Sequence, residues 1–134
     1  MDVKEDNPPQ LFVNWANMTK VLEQANTDGV KCTIFMKLDG ALLCVAGDSS
    51  IEKIIGALVA NIWKSYDAGA KKAFDADNLY FMIIDCEEGK LAVARISKFL
   101  LCTYADKNVQ LGLLKTKITA LVEHLKPLKK VYET

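Results

Sequence analysis

The chain has 134 residues, enough for one domain with its own core, and half of it is apolar against a quarter charged, which excludes a disordered protein. Its 17 basic and 17 acidic residues cancel, so net charge supplies no field for nucleic acid or an anionic membrane. Arg95 is the one arginine among the basic residues, which removes most of the fork-shaped donors that phosphate recognition uses.

Residues 1–13 read as an N-terminal extension, mobile as far as Gln10, since its charges, Asn7 and the Pro8-Pro9 pair offer nothing to pack. The start is acidic, unlike a signal peptide, and lacks the glycine that myristoylation requires. Leu11, Phe12, Val13 and Trp15 are too apolar for a free linker and either extend the first helix or lie in a groove. From about Asn14 to Asn26 the spacing of Trp15, Met18, Val21, Leu22 and Ala25 predicts a helix, ended by Thr27-Asp28-Gly29. KCTIFMKL and ALLCVA then flank Asp39-Gly40, a pair suited to a tight primed turn with positive φ at both central residues.

The stretch Ser50 to Tyr66, SIEKIIGALVANIWKSY, organises the rest. Ile51, Ile54, Ile55, Leu58, Val59, Ile62, Trp63 and Tyr66 recur at steps of three and four, an apolar arc of about 180° where about 100° suffices to dock on one core. Something must cover the excess: either a partner, with Gly56 and Ala60 admitting a second helix close to the backbone, or the protein's own sheet beneath Trp63 and Tyr66. DAGAKKAFDADN lacks periodicity and reads as a surface connection. Leu79 to Ile84, LYFMII, is apolar at every position, as in a strand covered on both faces. Short turns at Glu87 to Lys90 and Ser97-Lys98 link it to LAVARI and FLLCTYA in an antiparallel meander. A last helix runs from near Asn108 to about Lys126 and stops at Pro127. The order predicts an α+β fold, an antiparallel sheet with helices on both faces.

Chemical motifs are sparse. Cys32, Cys44, Cys86 and Cys102 stand singly in apolar runs without metal-ligand spacing, as buried reduced thiols do. His124 is the only histidine, and a surface place near a helix end fits it better than catalysis. Carboxylates beside Cys86 would raise its pKa and dull it. Lys115 and Lys117 read as a wet helical face. Arg95 either anchors a partner carboxylate or pairs within the sheet. No phosphate-cradling glycine motif occurs, and no apolar run approaches the roughly 20 residues that span a bilayer. These readings assign no catalytic residue, cofactor or metal, and neither nucleic-acid binding nor direct membrane insertion.

VLEQANTDGV from Val21, DGALL from Asp39, NIWKSYD from Asn61, AFDADNLYFMIIDCEEGKLAVARI from Ala73, LLCTYA from Leu100 and LLKTKITALVEHL from Leu113 resemble the roadblock/dynein light chain family, in particular the roadblock subunits of Ragulator-type adaptors. The likeness covers about Met18 to Leu128, so the domain is taken as 14–128 with a tail of 129–134. It implies a five-stranded sheet with the long helix on one face and the first and last helices on the other, a profilin-like three-layer fold. It also implies a partner surface: Asn78, Leu79, Tyr80, Phe81, Met82, Ile83 and Ile84 on an edge strand, with Gly56, Val59, Ala60 and Trp63 on the long helix. Such a protein would be a non-catalytic scaffold on the cytoplasmic face of late endosomes and lysosomes. It would pair with another roadblock protein of the MEK-partner-one type, be held by a lipidated subunit, and recruit Rag GTPases and MAPK components for mTORC1 and MAPK signalling. The alternatives are a homodimeric dynein-associated light chain and a small thiol enzyme using Cys86 and His124.

Overall fold

Side-chain alternation along the central strands decides the layering. Cys32, Ile34 and Met36 leave one face of the sheet, Thr33 and Phe35 leave the other, and all five are buried, so both faces must be covered. The computed structural model describes residues 15–47, 50–73 and 79–126. Within them lie helices α1 (Trp15–Glu23), α2 (Glu52–Ala73) and α3 (Leu111–Leu125) and strands β1 (Val30–Lys37), β2 (Leu42–Gly47), β3 (Phe81–Asp85), β4 (Gly89–Ile96) and β5 (Phe99–Asp106). The sheet is antiparallel in the order β2-β1-β5-β4-β3. The expected five-stranded, three-layer α+β architecture is the one observed.

Two cores follow. Met18 and Leu22 of α1 with Ala25 just beyond it, and Leu114, Ile118, Leu121 and Leu125 of α3, pack on Phe35, Ala92, Phe99 and Leu101, where the Phe35 and Phe99 rings stack at 5.1 Å. On the opposite face Ile55, Val59 and Trp63 of α2 pack on Cys32, Ile34, Met36, Leu91, Val93, Leu100 and Cys102. Asn26, just past α1, ties the layers: its Nδ2 donates to the Ala46 carbonyl at 2.9 Å and its Oδ1 accepts from Thr33 at 2.7 Å. Lys117 is no freely solvated lysine, since it donates to Thr27 at 2.6 Å and pairs with Asp28 at 3.5 Å, while Lys115 lies over the Phe81 ring. The mobile tail and the Pro127 helix stop expected from the sequence fall outside the described residues.

Local details differ from expectation in two places. Helix α2 continues to Ala73, through a segment read as a surface connection. Ala68, Ala70, Lys71, Lys72 and Ala73 favour helix by intrinsic propensity without marking an apolar face, and Gly69 meets nothing within 4 Å. The Asp39-Gly40 hairpin also takes a different turn. Gly40 has φ +96 while Asp39 does not have positive φ, the Gly40 N–H donates to the Lys37 carbonyl at 3.0 Å, and the Lys37 N–H donates to Ala41. That is the pattern of a three-residue loop closed by a left-handed glycine, with Asp39 Oδ1 accepting the Ala41 N–H at 3.0 Å.

Ser97 occupies the left-handed region at φ 59, in the turn between the paired Ile96 and Phe99. This conformation costs a non-glycine residue about 1–2 kcal/mol, part of which glycine returns through its freer unfolded chain. Ser97→Gly should therefore raise stability by about 0.5–1 kcal/mol, read as a higher denaturant midpoint at unchanged slope. A lower midpoint would mean that the serine side chain offsets the strain.

Candidate partner interface

Among the described residues strand β3 ends the sheet, and its hydrogen bonds show which of its groups are spare there. The Arg95 N–H donates to the Tyr80 carbonyl and the Cys86 N–H to the Gly89 carbonyl, both at 2.9 Å, with Phe81↔Ala94 to Asp85↔Lys90 in register between them. Antiparallel bonding alternates, so Tyr80, Met82, Ile84 and Cys86 turn their backbone groups to β4. Phe81, Ile83 and Asp85 turn theirs to the open side. Phe81, Met82, Ile83 and Ile84 are all half-buried, packed on one face or the other without being sealed. Tyr80, just before the strand, is 76% exposed.

The start of β3 is held by a carboxylate on α2. Asp67 Oδ1 accepts the Leu79 N–H at 2.8 Å and Oδ2 lies 3.3 Å from the Lys71 ammonium. The Leu79 amide chiefly holds the Asp67 carboxyl below its ordinary range; desolvation, next in size, opposes it, and Lys71 and Arg95 add smaller downward effects. A group depressed in the folded state contributes stability that is complete above its unfolded pKa, about 3.9, and is lost as pH falls through the folded value. Wild type should therefore outlast Asp67→Asn in thermal melts at neutral pH, and the gap should close on acidification below about pH 3.9. A gap independent of pH would show that the charge contributes nothing.

Helix α2 also carries exposed apolar side chains, although not at the four residues expected to meet a partner. Gly56, Val59, Ala60 and Trp63 are buried within the subunit, Val59 completely and Trp63 with 3% exposed. A side chain at Gly56 would meet Leu42 at 3.0 Å, and one at Gly40 would meet Ala60 at 3.2 Å. The close backbone approach that Gly56 and Ala60 permit is used by the chain's own β1–β2 hairpin. These four residues therefore underlie the surface and do not line it. Apolar spacing measures the width of a helical stripe but not which part meets the protein's own sheet. The unsatisfied part is the ridge Ile54, Leu58, Ile62 and Tyr66, of which Ile54, Leu58 and Tyr66 are exposed and Ile62 half-buried. An apolar groove of about 570 Å³ joins this ridge to β3, lined by Ile62, Tyr66, Leu79, Met82, Ile83, Ile84 and Asp85. Asn78, the remaining expected contact, lies outside the described residues.

The thiol alternative gains no geometry. Cys86 is exposed beyond the end of β3, contrary to the burial expected of it, whereas His124 lines a groove between the end of α1 and α3 with Gln24, Lys117 and Leu121. Burial pushes the Cys44 thiol up, and pushes Cys102 up further with help from nearby Cys32, so both are kept as unreactive thiols. Among the described residues no group of three or more His, Cys, Asp or Glu could hold a metal ion, and no helix is long and apolar enough to cross a membrane.

Layering, strand order and an edge left open beside an exposed helical ridge define a three-layer domain of the profilin and roadblock type. The chain belongs to the Roadblock/LC7 domain family, which matches residues 17–105. It is 27% identical over 112 residues to the Caenorhabditis elegans Ragulator complex protein LAMTOR2 homolog, covering 81% of this chain and 86% of that protein. This likeness supports a Ragulator-like role at the level of the family. Among solved structures, MglB with a tetrameric arrangement superposes with a TM-score of 0.76 at 19% identity, over 89% of this chain and 90% of that one. Acanthamoeba castellanii profilin IB gives 0.60 at 15% identity, over 86% and 98%. Both structural likenesses speak to the fold alone.

Proposed function

We propose that this protein is a non-catalytic adaptor that pairs through β3 and the outer ridge of α2 with a second roadblock-fold protein, as one subunit of a Ragulator-type complex. The observation that carries the reading is the open edge, with spare backbone groups on Phe81, Ile83 and Asp85 lying next to the apolar groove toward α2. An edge strand of this composition is an aggregation hazard unless occupied, and a like edge beside it would continue the sheet across two subunits. Leu79, Tyr80, Met82 and Ile84 would flank that ladder, with Ile54, Leu58 and Tyr66 meeting the partner's long helix.

The likeness to the nematode Ragulator protein favours a heterodimeric partner of the MEK-partner-one type and a place on late endosomes and lysosomes. There the paired subunits would serve mTORC1 and MAPK signalling by recruiting Rag GTPases and kinase-pathway components. Membrane attachment would come from a lipidated partner. Light scattering of the purified chain, alone and mixed with a MEK-partner-one-type roadblock protein from the same organism, tests the pairing. A one-to-one complex is expected. A well-behaved monomer that ignores the partner would overturn the proposal, and a self-dimer that captures dynein material would move the chain to the light-chain branch of the family.

A further inference from the structure

The outward bonds of β3 belong to Phe81, Ile83 and Asp85, and their spacing leaves few ways to meet another edge. The run stops on both sides. The Leu79 N–H is held by Asp67 at 2.8 Å, and beyond Asp85 the Cys86 N–H closes a turn on the Gly89 carbonyl at 2.9 Å. An identical edge lying antiparallel can match all of these residues only with Ile83 opposite its twin and Phe81 opposite Asp85 at either end. A slip of two residues in either direction loses one reciprocal pair, and a slip of one sets outward groups against inward ones. Charge singles out the same register. By alternation Phe81, Ile83 and Asp85 face the layer of α1 and α3, where Phe81 and Ile83 pack. Lys115 of α3 stands over the Phe81 ring, 5.5 Å from its centroid, and neither Lys115 nor Asp85 has an ion-pair partner among the described residues. Lys90, opposite Asp85 on β4, turns its ammonium instead to the Lys107 and Val109 carbonyls, both at 2.7 Å.

We propose that β3 takes the β3 of a second copy of this chain in that register, with Asp85 of each copy paired to Lys115 of the other beside the Phe81 ring. Directly opposed residues in a bonded antiparallel pair lie about 5.5 Å apart at Cα with their side chains on one face, so the carboxylate arrives next to the ammonium already standing over that ring. Two-fold symmetry makes the contact twice. Parallel pairing would instead set Asp85 near its twin, like charge beside like. The inference rests on the reading of β3 as a pairing edge, and not on the Ragulator assignment. The occupant is a second copy because this edge complements itself in both bonding and charge, and such a pair would be the state of a subunit that has not met another roadblock-fold protein.

Sedimentation equilibrium of the full chain, of Asp85→Lys, of Lys115→Glu and of the two variants mixed in equal amounts tests the register. Wild type should form a dimer that weakens as salt rises. Each variant alone should dimerise about tenfold more weakly, because both contacts become like-charge pairs. The mixture should return to within a few-fold of wild type, since a mixed pair has opposite charges at both contacts. Asp85 and Lys115 are exposed, so the melts of the variants should match that of the wild-type chain. Variants that dimerise like wild type, or a mixture no stronger than its components, would overturn the inference. A wild-type chain that stays monomeric but joins a MEK-partner-one-type protein would overturn it and leave the heterodimer standing, whereas one that joins neither would overturn both.

Discussion

Ile83→Pro should fold as a subunit and fail to pair. The Ile83 N–H points away from β4, so proline there removes no bond of the existing ladder, and proline is tolerated on an edge strand in that orientation. The preceding Met82 is already in a strand, the conformation that proline imposes on its neighbour. In a shared sheet the same substitution removes a donor at the centre of β3 and places ring carbons against the incoming carbonyl. A loss of about 2–3 kcal/mol in association, roughly 30–150-fold in Kd, is expected with only a small change in the melt of the lone subunit. Sedimentation of the mixed proteins and a circular dichroism melt of the variant alone separate the two effects. Unchanged affinity would place the contact away from β3.

Two adjacent residues on α2 should give opposite phenotypes. Val59 has no exposed surface and packs in the core beneath the helix, so Val59→Asp buries an unpaired charge. The expected cost of about 4–5 kcal/mol is a large part of the stability of a domain this size and should leave the chain unfolded or nearly so at 37 °C. Leu58 is 44% exposed on the outer ridge, where Leu58→Asp should leave the melt of the lone subunit nearly unchanged and abolish or severely weaken pairing. If Val59→Asp melted like wild type, the packing of α2 on the sheet would be wrong. If Leu58→Asp paired normally, the ridge would lie outside the contact.

The contrast between Leu58 and Val59 also marks where sequence reasoning stops. The layers and the meander were legible because alternation and turn residues carry them directly, as in Cys32, Ile34 and Met36 against Thr33 and Phe35, whereas the edge position of β3 came from the family resemblance, since LYFMII by itself reads as a strand covered on both faces. The excess apolar width of α2 was legible as well. Its direction was not, because Gly56 and Ala60 look the same whether a foreign helix or the chain's own hairpin comes close, and only the tertiary path of Gly40 and Leu42 decides. The last turns of α2 were missed because alanine and lysine promote helix without writing a stripe.

The outward amide and carbonyl of Ile83 have a consequence for any orphaned copy of the chain. Every uncapped margin can template another of its own kind, and flanking Met82 and Ile84 make that self-adhesion dry and hard to reverse. Under the proposed pairing, matched supply of the two subunits, or prompt clearance of the surplus one, becomes a condition of keeping this protein out of insoluble deposits.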